Sequence, residues 1–192
     1  MKRILKLTGL LILGLLLVQG CGGKDVIESG YMEGAPTWVV KGSGAFEETK
    51  GKVFYGVGSA AGIRNHSLLR TTAGNRARNE VAKIFQAYTA SLMKDYSAST
   101  MAGDPNVSSE EQHVEQAIKT VASATLSGVE IVDHWQANNG ELFALASLNL
   151  DDFKNALDKA KELNARTRDY IRENSERLHG ELSKEEEKMQ NR

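Results

Sequence analysis

Residues 53–60 read VFYGVGSA, and the stretch that they open, from Val53 to Tyr96, decides the fold of this chain. The eight residues predict a β-strand, in which Gly56 and Gly58 share one face because they are two positions apart. After a short turn, small and apolar residues recur every three or four positions with no proline among them, which predicts one long helix. A strand face without side chains lets a helix approach closely. We therefore interpret Gly56 and Gly58 as structural packing positions and not as a nucleotide-binding loop, which needs a third glycine or a Lys-Ser/Thr pair.

The predicted helix has one narrow inward face whose residues become larger along the chain. Small residues come first and large ones follow: Gly74, Ala77, Val81, Phe85, Tyr88 and Leu92. Arg78 falls beside this face, whereas Arg76 points away from it. We expect the strand glycines to contact the end of the helix where the small residues lie.

The chain starts with a basic segment followed by an apolar run from Leu7 to Val18. Twelve helical residues cover roughly 18 Å, less than the ~30 Å hydrocarbon core, so residues 1–20 are predicted to be a secretory signal peptide. The sequence VQGC at residues 18–21 resembles the lipobox of bacterial lipoproteins, and Cys21 is the only cysteine. The resemblance implies cleavage before Cys21 and acylation of its thiol and amino group. The alternative is a stray thiol near a cleavage site.

Three acyl chains would anchor the protein stably in a lipid bilayer, because each buried CH₂ contributes about 0.8 kcal/mol. By resemblance to lipoprotein sorting in many Gram-negative bacteria, Gly22 points to the outer membrane, with the folded domain in the periplasm. Residues 21–35 contain four glycines and no periodicity, so they predict a flexible tether after the lipidated Cys21. The covalent lipid is the only cofactor that we expect.

A β-hairpin is predicted near the end of the domain that spans residues 36–150. Two predicted strands, 129–138 and 141–150, flank Asn139-Gly140, which is typical of a type I′ turn. Pairing Asn138 with Glu141 would bring one set of alternating residues onto a single, largely apolar face: Val129, Ile131, Asp133, Trp135, Ala144, Ala146, Leu148 and Leu150. The opposite face would be mixed, with Glu130 and His134 beside Phe143 and Leu145.

Asp133 is the only charge on the predicted apolar face. A buried carboxylate needs a partner, a proton or water. Helical phase makes Arg78 the first candidate partner, with Arg70 in reserve. The alternative places Asp133 in water at the sheet edge or at an oligomer interface.

Residues 151–192 predict a charged C-terminal helix whose first turn is acidic at Asp151 and Asp152. An apolar stripe between Phe153 and Leu163 is expected to dock on the domain. Beyond Asn164 the apolar content falls, so we expect a solvated helix that frays past Gly180, in preference to a coiled-coil partner site.

Short motifs occur along the chain in a fixed order: Pro36-x-Trp38, then Tyr55-Gly56-Val57-Gly58-x-Ala60, then Ala73-x-x-Arg76-Ala77-Arg78-x-Glu80-x-Ala82, then Asp133-x-Trp135. Together they resemble the LPP-twenty (LPP20) lipoprotein family, which includes flagellum-associated outer-membrane lipoproteins. The resemblance covers roughly Pro36 to Leu150 and implies a dodecin-like fold, in which a small antiparallel sheet curls around one long helix. The family brings no established catalytic residues, so Trp135 and the other motif residues are interpreted as structural. Its members are described as envelope or flagellar-assembly proteins, often oligomeric.

Several function classes have no support in the sequence. The net charge of -1 and the pI near 6.4 give no basic stripe for nucleic acid. The four histidines lie in four different predicted elements, whereas a metal site needs three or four converging ligands. Asp133 and His134 are adjacent in a strand and point to opposite faces, so they do not form the base half of a catalytic triad. We therefore do not expect an enzyme.

Two functional hypotheses remain. In the first, the chain is a non-enzymatic lipoprotein that builds or stabilises a cell-envelope assembly, a flagellar one included, through contacts with envelope proteins and with copies of itself. In the second, it is a periplasmic binding or activator module that uses the mixed sheet face for a small ligand, peptidoglycan or a synthase.

Overall fold

The computed structural model describes residues 30–46, 49, 52–100 and 108–190. The predicted signal peptide, Cys21 and the predicted tether up to residue 29 lie outside these described residues. Its helices are α1 (Thr37–Lys41), α2 (His66–Thr100), α3 (Ser108–Leu126), α4 (Leu150–Lys159) and α5 (Ala165–Gln190), and its strands are β1 (Val53–Ala60), β2 (Glu130–Gln136) and β3 (Leu142–Asn149). Short 3₁₀ helices span Gly30–Met32 and Gly42–Ala45. The prediction of an α+β fold with a small antiparallel sheet and one long helix is confirmed.

The sheet has the strand order β1-β3-β2, and both strand pairs are antiparallel. One face of β1 is buried at every second residue, and α2 packs across that face. A Cβ added at Gly58 would lie 2.2 Å from the backbone nitrogen of Ala77, and one at Gly56 would lie 2.6 Å from the Ala77 carbonyl oxygen. Both distances are shorter than van der Waals contact, so the strand and the helix touch through their backbones.

The residues along α2 fill the space that opens beyond this contact. Gly74 does not take part in the close approach, because a Cβ there would meet Ile131 and Arg78 at an ordinary 3.5 Å. Further along α2, Phe85 and Tyr88 are fully buried and pack edge-on against Phe54 of β1 and Phe153 of α4. The predicted increase in residue size along the helix therefore corresponds to a wedge of core between helix and sheet.

The predicted hairpin is present, but the predicted turn type and the predicted register are wrong. A type I′ turn needs positive φ at both central residues, and in this loop only Gly140 has one, at 85°. The loop closes one residue wider, with the Ala137 nitrogen donating to the Glu141 oxygen at 2.8 Å and the Glu141 nitrogen donating to Asn139 Oδ1 at 3.0 Å. Trp135 consequently pairs with Phe143 and not with Ala144.

A β-bulge between Ile131 and Asp133 changes the register a second time. Ile131 pairs with Ala146 on the face that α2 covers, whereas Asp133 pairs with Leu145 on the opposite face. The wider loop already places Asp133 and Trp135 opposite Leu145 and Phe143, on the side of the sheet away from α2, and the bulge inserts Val132 as an extra residue so that Ile131 returns to the α2 side. The prediction that Asp133 and Trp135 share the helix-facing side with Ile131 is therefore wrong.

The predicted single C-terminal helix is divided in two. Asn149 caps α4 by accepting from the Asp151 nitrogen, and Asn164 caps α5 by accepting from the Thr167 nitrogen. The prediction of a solvated tail is also wrong, because Ile171, Leu178 and His179 of α5 are buried.

Polar groups explain why the contact of α5 is not visible as an apolar stripe. Thr167 and Ser175 are fully buried where α5 meets α2. Tyr96 Oη lies 3.0 Å from Thr167 Oγ1, and Tyr88 Oη donates to the Ser175 carbonyl oxygen at 3.3 Å. Hydrogen bonding satisfies these groups on burial, so the helix docks although Ile171 and Leu178 are widely spaced and Tyr170 and Leu182 are only partly buried.

Candidate functional site

The outer sheet face, which we define as the side of the sheet away from α2, carries Tyr55, Val57, Asp133, Trp135, Phe143 and Leu145. Helix α1 lies against this face. Trp38 of α1 is buried, and its Nε1 donates to Asp133 Oδ2 at 3.0 Å. The other carboxylate oxygen of Asp133 accepts from the His134 nitrogen at 2.7 Å.

Arg78 was the predicted partner of Asp133, and this prediction is wrong. The carboxylate of Asp133 accepts from Trp38 instead. Arg78 is exposed on α2, on the opposite side of the sheet, beside Gly74 and Ile131. Asp133 is solvent-exposed and bonded to an indole, so it needs neither burial nor a cation. The motifs containing Trp38 and Asp133 were both recognised in the sequence, but the two residues are 95 positions apart and no sequence pattern signals that their side chains meet.

Aromatic residues cover both ends of the outer sheet face. Phe46 stacks on Tyr55 with ring centroids 3.9 Å apart, so the segment after α1 packs over the start of β1. At the hairpin end Trp135 and Phe143 lie 5.7 Å apart and remain half-buried. The outer sheet face is thus partly closed by the N-terminal segment and partly open.

His134 lies on the α2 side of the sheet, where Arg70 Nη2 is 3.4 Å from its Nδ1. Burial, followed by the nearby Arg70 guanidinium, lowers the pKa of His134 below its usual value. Asp133 projects to the other face, as alternation along a strand requires. His134 is therefore a neutral neighbour of a cation and not the base of a triad.

His179 is a buried histidine that no sequence pattern marks as such. Its ring packs edge-on against Phe54 with centroids 4.0 Å apart and lies near Tyr88. Burial lowers the pKa of His179 to about 4, and burial raises the pKa of Tyr88 well above its usual value. Both groups are held in their neutral forms at the contact of α5 with the core.

A groove of about 590 Å³ runs between α2 and α3. Its floor contains Phe85, Met93 and Ile118, and its rim contains Glu115 and Lys119. The four histidines remain far apart in sequence and lie in α2, α3, β2 and α5. In the described ranges no group of three His, Cys, Asp or Glu residues is placed to hold a metal ion.

The LPP20 lipoprotein family matches residues 36–149, which is more than half of the chain. The match begins just before α1 and ends with β3, so it covers the sheet, α2, α3 and the Trp38–Asp133 contact. No curated protein matches the chain. Within residues 30–46, 49, 52–100 and 108–190, none of the helices is both long and apolar enough to cross a membrane.

Proposed function

Because this chain belongs to the LPP20 lipoprotein family, we propose that it is an outer-membrane-anchored lipoprotein with a non-enzymatic structural or assembly role in the cell envelope. The observation that carries the proposal is the position of Cys21, the only cysteine, directly after an apolar run and shortly before the family match. Acyl chains on Cys21 hold the domain at the bilayer. Its partners are envelope proteins, including other copies of the chain, and flagellar assembly is one setting for such a role.

The chemistry of the described residues supports a structural role. LPP20 is not a known enzyme family. The groups whose pKa is shifted belong to packing contacts, as with His179 and Tyr88 in the core, or to ion pairs, as with Glu176 and Lys154, and none of them lines the groove between α2 and α3. A catalytic site would instead bring several such groups to one cleft.

The groove between α2 and α3 favours the second candidate function, a periplasmic binding module. Its apolar floor and charged rim are the features that small-molecule sites share. Cross-linking in intact envelopes, followed by purification in detergent, separates the two functions. An assembly component carries cross-links to envelope proteins or to itself, whereas a binding module co-purifies with a small molecule that mass spectrometry detects.

Two substitutions test the anchor and the sorting separately. Cys21→Ser removes the thiol that acylation needs, and the protein should leave the membrane fraction. Gly22→Asp keeps the thiol and should move the protein from the outer to the inner membrane. If Cys21→Ser fractionates with the outer membrane at the wild-type level, the lipid is not the anchor.

A further inference from the structure

Two arginines of α2, Arg70 and Arg78, reach the same side of β2, and we name them the arginine pair. Nη2 of Arg70 donates to Nδ1 of His134 at 3.4 Å. Eight residues along the helix, Arg78 borders the bare position at Gly74. A Cβ there would lie 3.5 Å from Nη1 of Arg78 and 3.5 Å from Cγ1 of Ile131. Each arginine of the pair therefore lies beside a residue of β2.

The register of the sheet places these two β2 residues next to each other. Ile131 pairs with Ala146, and His134 pairs with Ala144, on the face of β3 that α2 covers. Residues two apart in a strand are neighbours on one face and lie about 7 Å apart. The β-bulge thus brings Ile131 and His134 to adjacent positions on this face, and the arginine pair reaches both.

No carboxylate balances the arginine pair on this side of the sheet. Residues 53–79 contain four arginines and no Asp or Glu, and Asp133 of β2 lies on the opposite face. Both arginines of the pair are exposed, and neither forms an ion pair with any residue that the structure describes. Burial and the Arg70 guanidinium lower the pKa of His134, so the ring beside the pair is neutral. Two neighbouring positive charges are therefore open to an anion from solution.

We propose that the arginine pair binds a phosphate monoester group. A guanidinium group offers parallel N–H donors that match the oxygens of phosphate. A monoester carries a charge of about −1.5 to −2 near pH 7, which balances two arginines, whereas one carboxylate balances only one. Two N–H···O bonds of about 2.8 Å, together with the width of the phosphate group, suit neighbouring β2 positions about 7 Å apart. The site goes beyond the proposed envelope role and does not depend on acylation of Cys21.

The imidazole ring of His134 reports on the site, because it lies beside Arg70. The full-length protein, labelled with ¹⁵N-histidine and extracted in a neutral detergent, is titrated with inorganic phosphate at pH 7.5, and NMR follows the ring signals. Sodium chloride at matched ionic strength controls for screening. The test variant is Arg70→Gln/Arg78→Gln. The matched control, Lys161→Gln/Arg166→Gln, removes two exposed charges at the start of α5 and in the turn before it.

We expect a saturable shift of the His134 signal at millimolar phosphate in the wild type and in the matched control. Affinity should fall about tenfold or more in Arg70→Gln/Arg78→Gln, which loses the charge-assisted hydrogen bonds. Its melting temperature should change little, because both arginines are exposed. The site is overturned by a wild-type signal that ignores phosphate, by equal affinity in the wild type and the test variant, or by an equal response to sodium chloride.

Two sources of a phosphate monoester, a lipid headgroup and a soluble phosphate, are separated by mixed micelles. Phosphatidic acid carries a phosphate monoester as its headgroup, and phosphatidylcholine at the same concentration is the control lipid. A shift of the His134 signal with phosphatidic acid, lost in Arg70→Gln/Arg78→Gln, assigns the site to a lipid headgroup. A response to free phosphate but not to phosphatidic acid assigns it to a soluble phosphate.

Discussion

Gly58 has no room for a side chain, because the Ala77 nitrogen of α2 lies 2.2 Å from the position of its missing Cβ. Gly74 provides a matched control on the helix, with 3.5 Å to its nearest neighbours. Gly58→Ala should destabilise the fold by about 1–3 kcal/mol or more, since strand and helix must separate. Gly74→Ala should stabilise it by roughly 0.5–1 kcal/mol, since alanine is the better helix former. Urea denaturation of both variants checks the pair, and equal stability of Gly58→Ala and wild type would contradict the backbone contact.

Trp38 and Asp133 form a side-chain hydrogen bond between α1 and the sheet. Trp38→Phe keeps most of the buried ring and removes the donor, so it should cost about 1 kcal/mol. A double-mutant cycle with Asp133→Asn should give a coupling of similar size. The control cycle pairs Asp133→Asn with Arg78→Ala and should be additive within about 0.5 kcal/mol. Coupling of Asp133 to Arg78 but not to Trp38 would show that the bulge and the register are misplaced.

The packing of α5 against the core includes His179, a histidine that folding keeps neutral. The pKa of His179 is about 4 in the folded state, against 6.5 for the unperturbed group, so the unfolded chain binds more protons between these two values. His179 should therefore contribute its full share of stability above pH 6.5 and lose it progressively as the pH falls towards 4, by up to about 3 kcal/mol.

Denaturation of the wild type and His179→Leu at pH 7 and pH 4.5 isolates this contribution. The variant should lose less stability on acidification than the wild type, because one proton-linked group is gone. His113→Leu, at an exposed position of α3, should follow the wild type. If the wild type and His179→Leu lose equal stability between the two pH values, His179 is not responsible for the acid sensitivity of the α5 contact.

The elements that could be predicted from the sequence are those whose own periodicity defines them. β1, α2 and the hairpin carry alternating or helical patterns, and the glycine pair on β1 needs only the alternation of a strand to be placed against a helix. The three-residue loop and the bulge at Val132 were not predictable, because a shift of one residue leaves the hydrophobic pattern of β2 almost unchanged, while the loop reverses the face of Asp133 and the bulge puts Ile131 on the opposite face from Asp133. The docking of α5 was missed for a different reason, since Thr167, Ser175 and His179 are polar residues whose burial depends on hydrogen bonds and ring contacts with α2 and β1.

The outer sheet face was likewise predictable only in part. Trp38, Asp133 and Trp135 were recognisable as motif residues, but the hydrogen bond between Trp38 and Asp133 joins residues 95 positions apart. Such a contact depends on how α1 folds back over the sheet, and no local pattern encodes that path.

For the whole molecule, the order of the parts suggests the function. An apolar run, a lone cysteine, a glycine-containing segment and the family match follow one another within the first 149 residues. Each part has a physical role in a lipid-anchored protein: targeting, acylation, reach and contact. The proposed envelope role depends on acylation of Cys21.

Intact-mass measurement of the mature chain, extracted in detergent from its own membranes, tests that dependence most directly. The account predicts a chain that starts at Cys21 and carries a diacylglycerol on the thiol together with an acyl group on the new amino terminus. Cys21→Ser should give neither the cleavage nor the added mass. A wild-type chain that starts at another residue, or that starts at Cys21 with an unmodified thiol, would contradict the account.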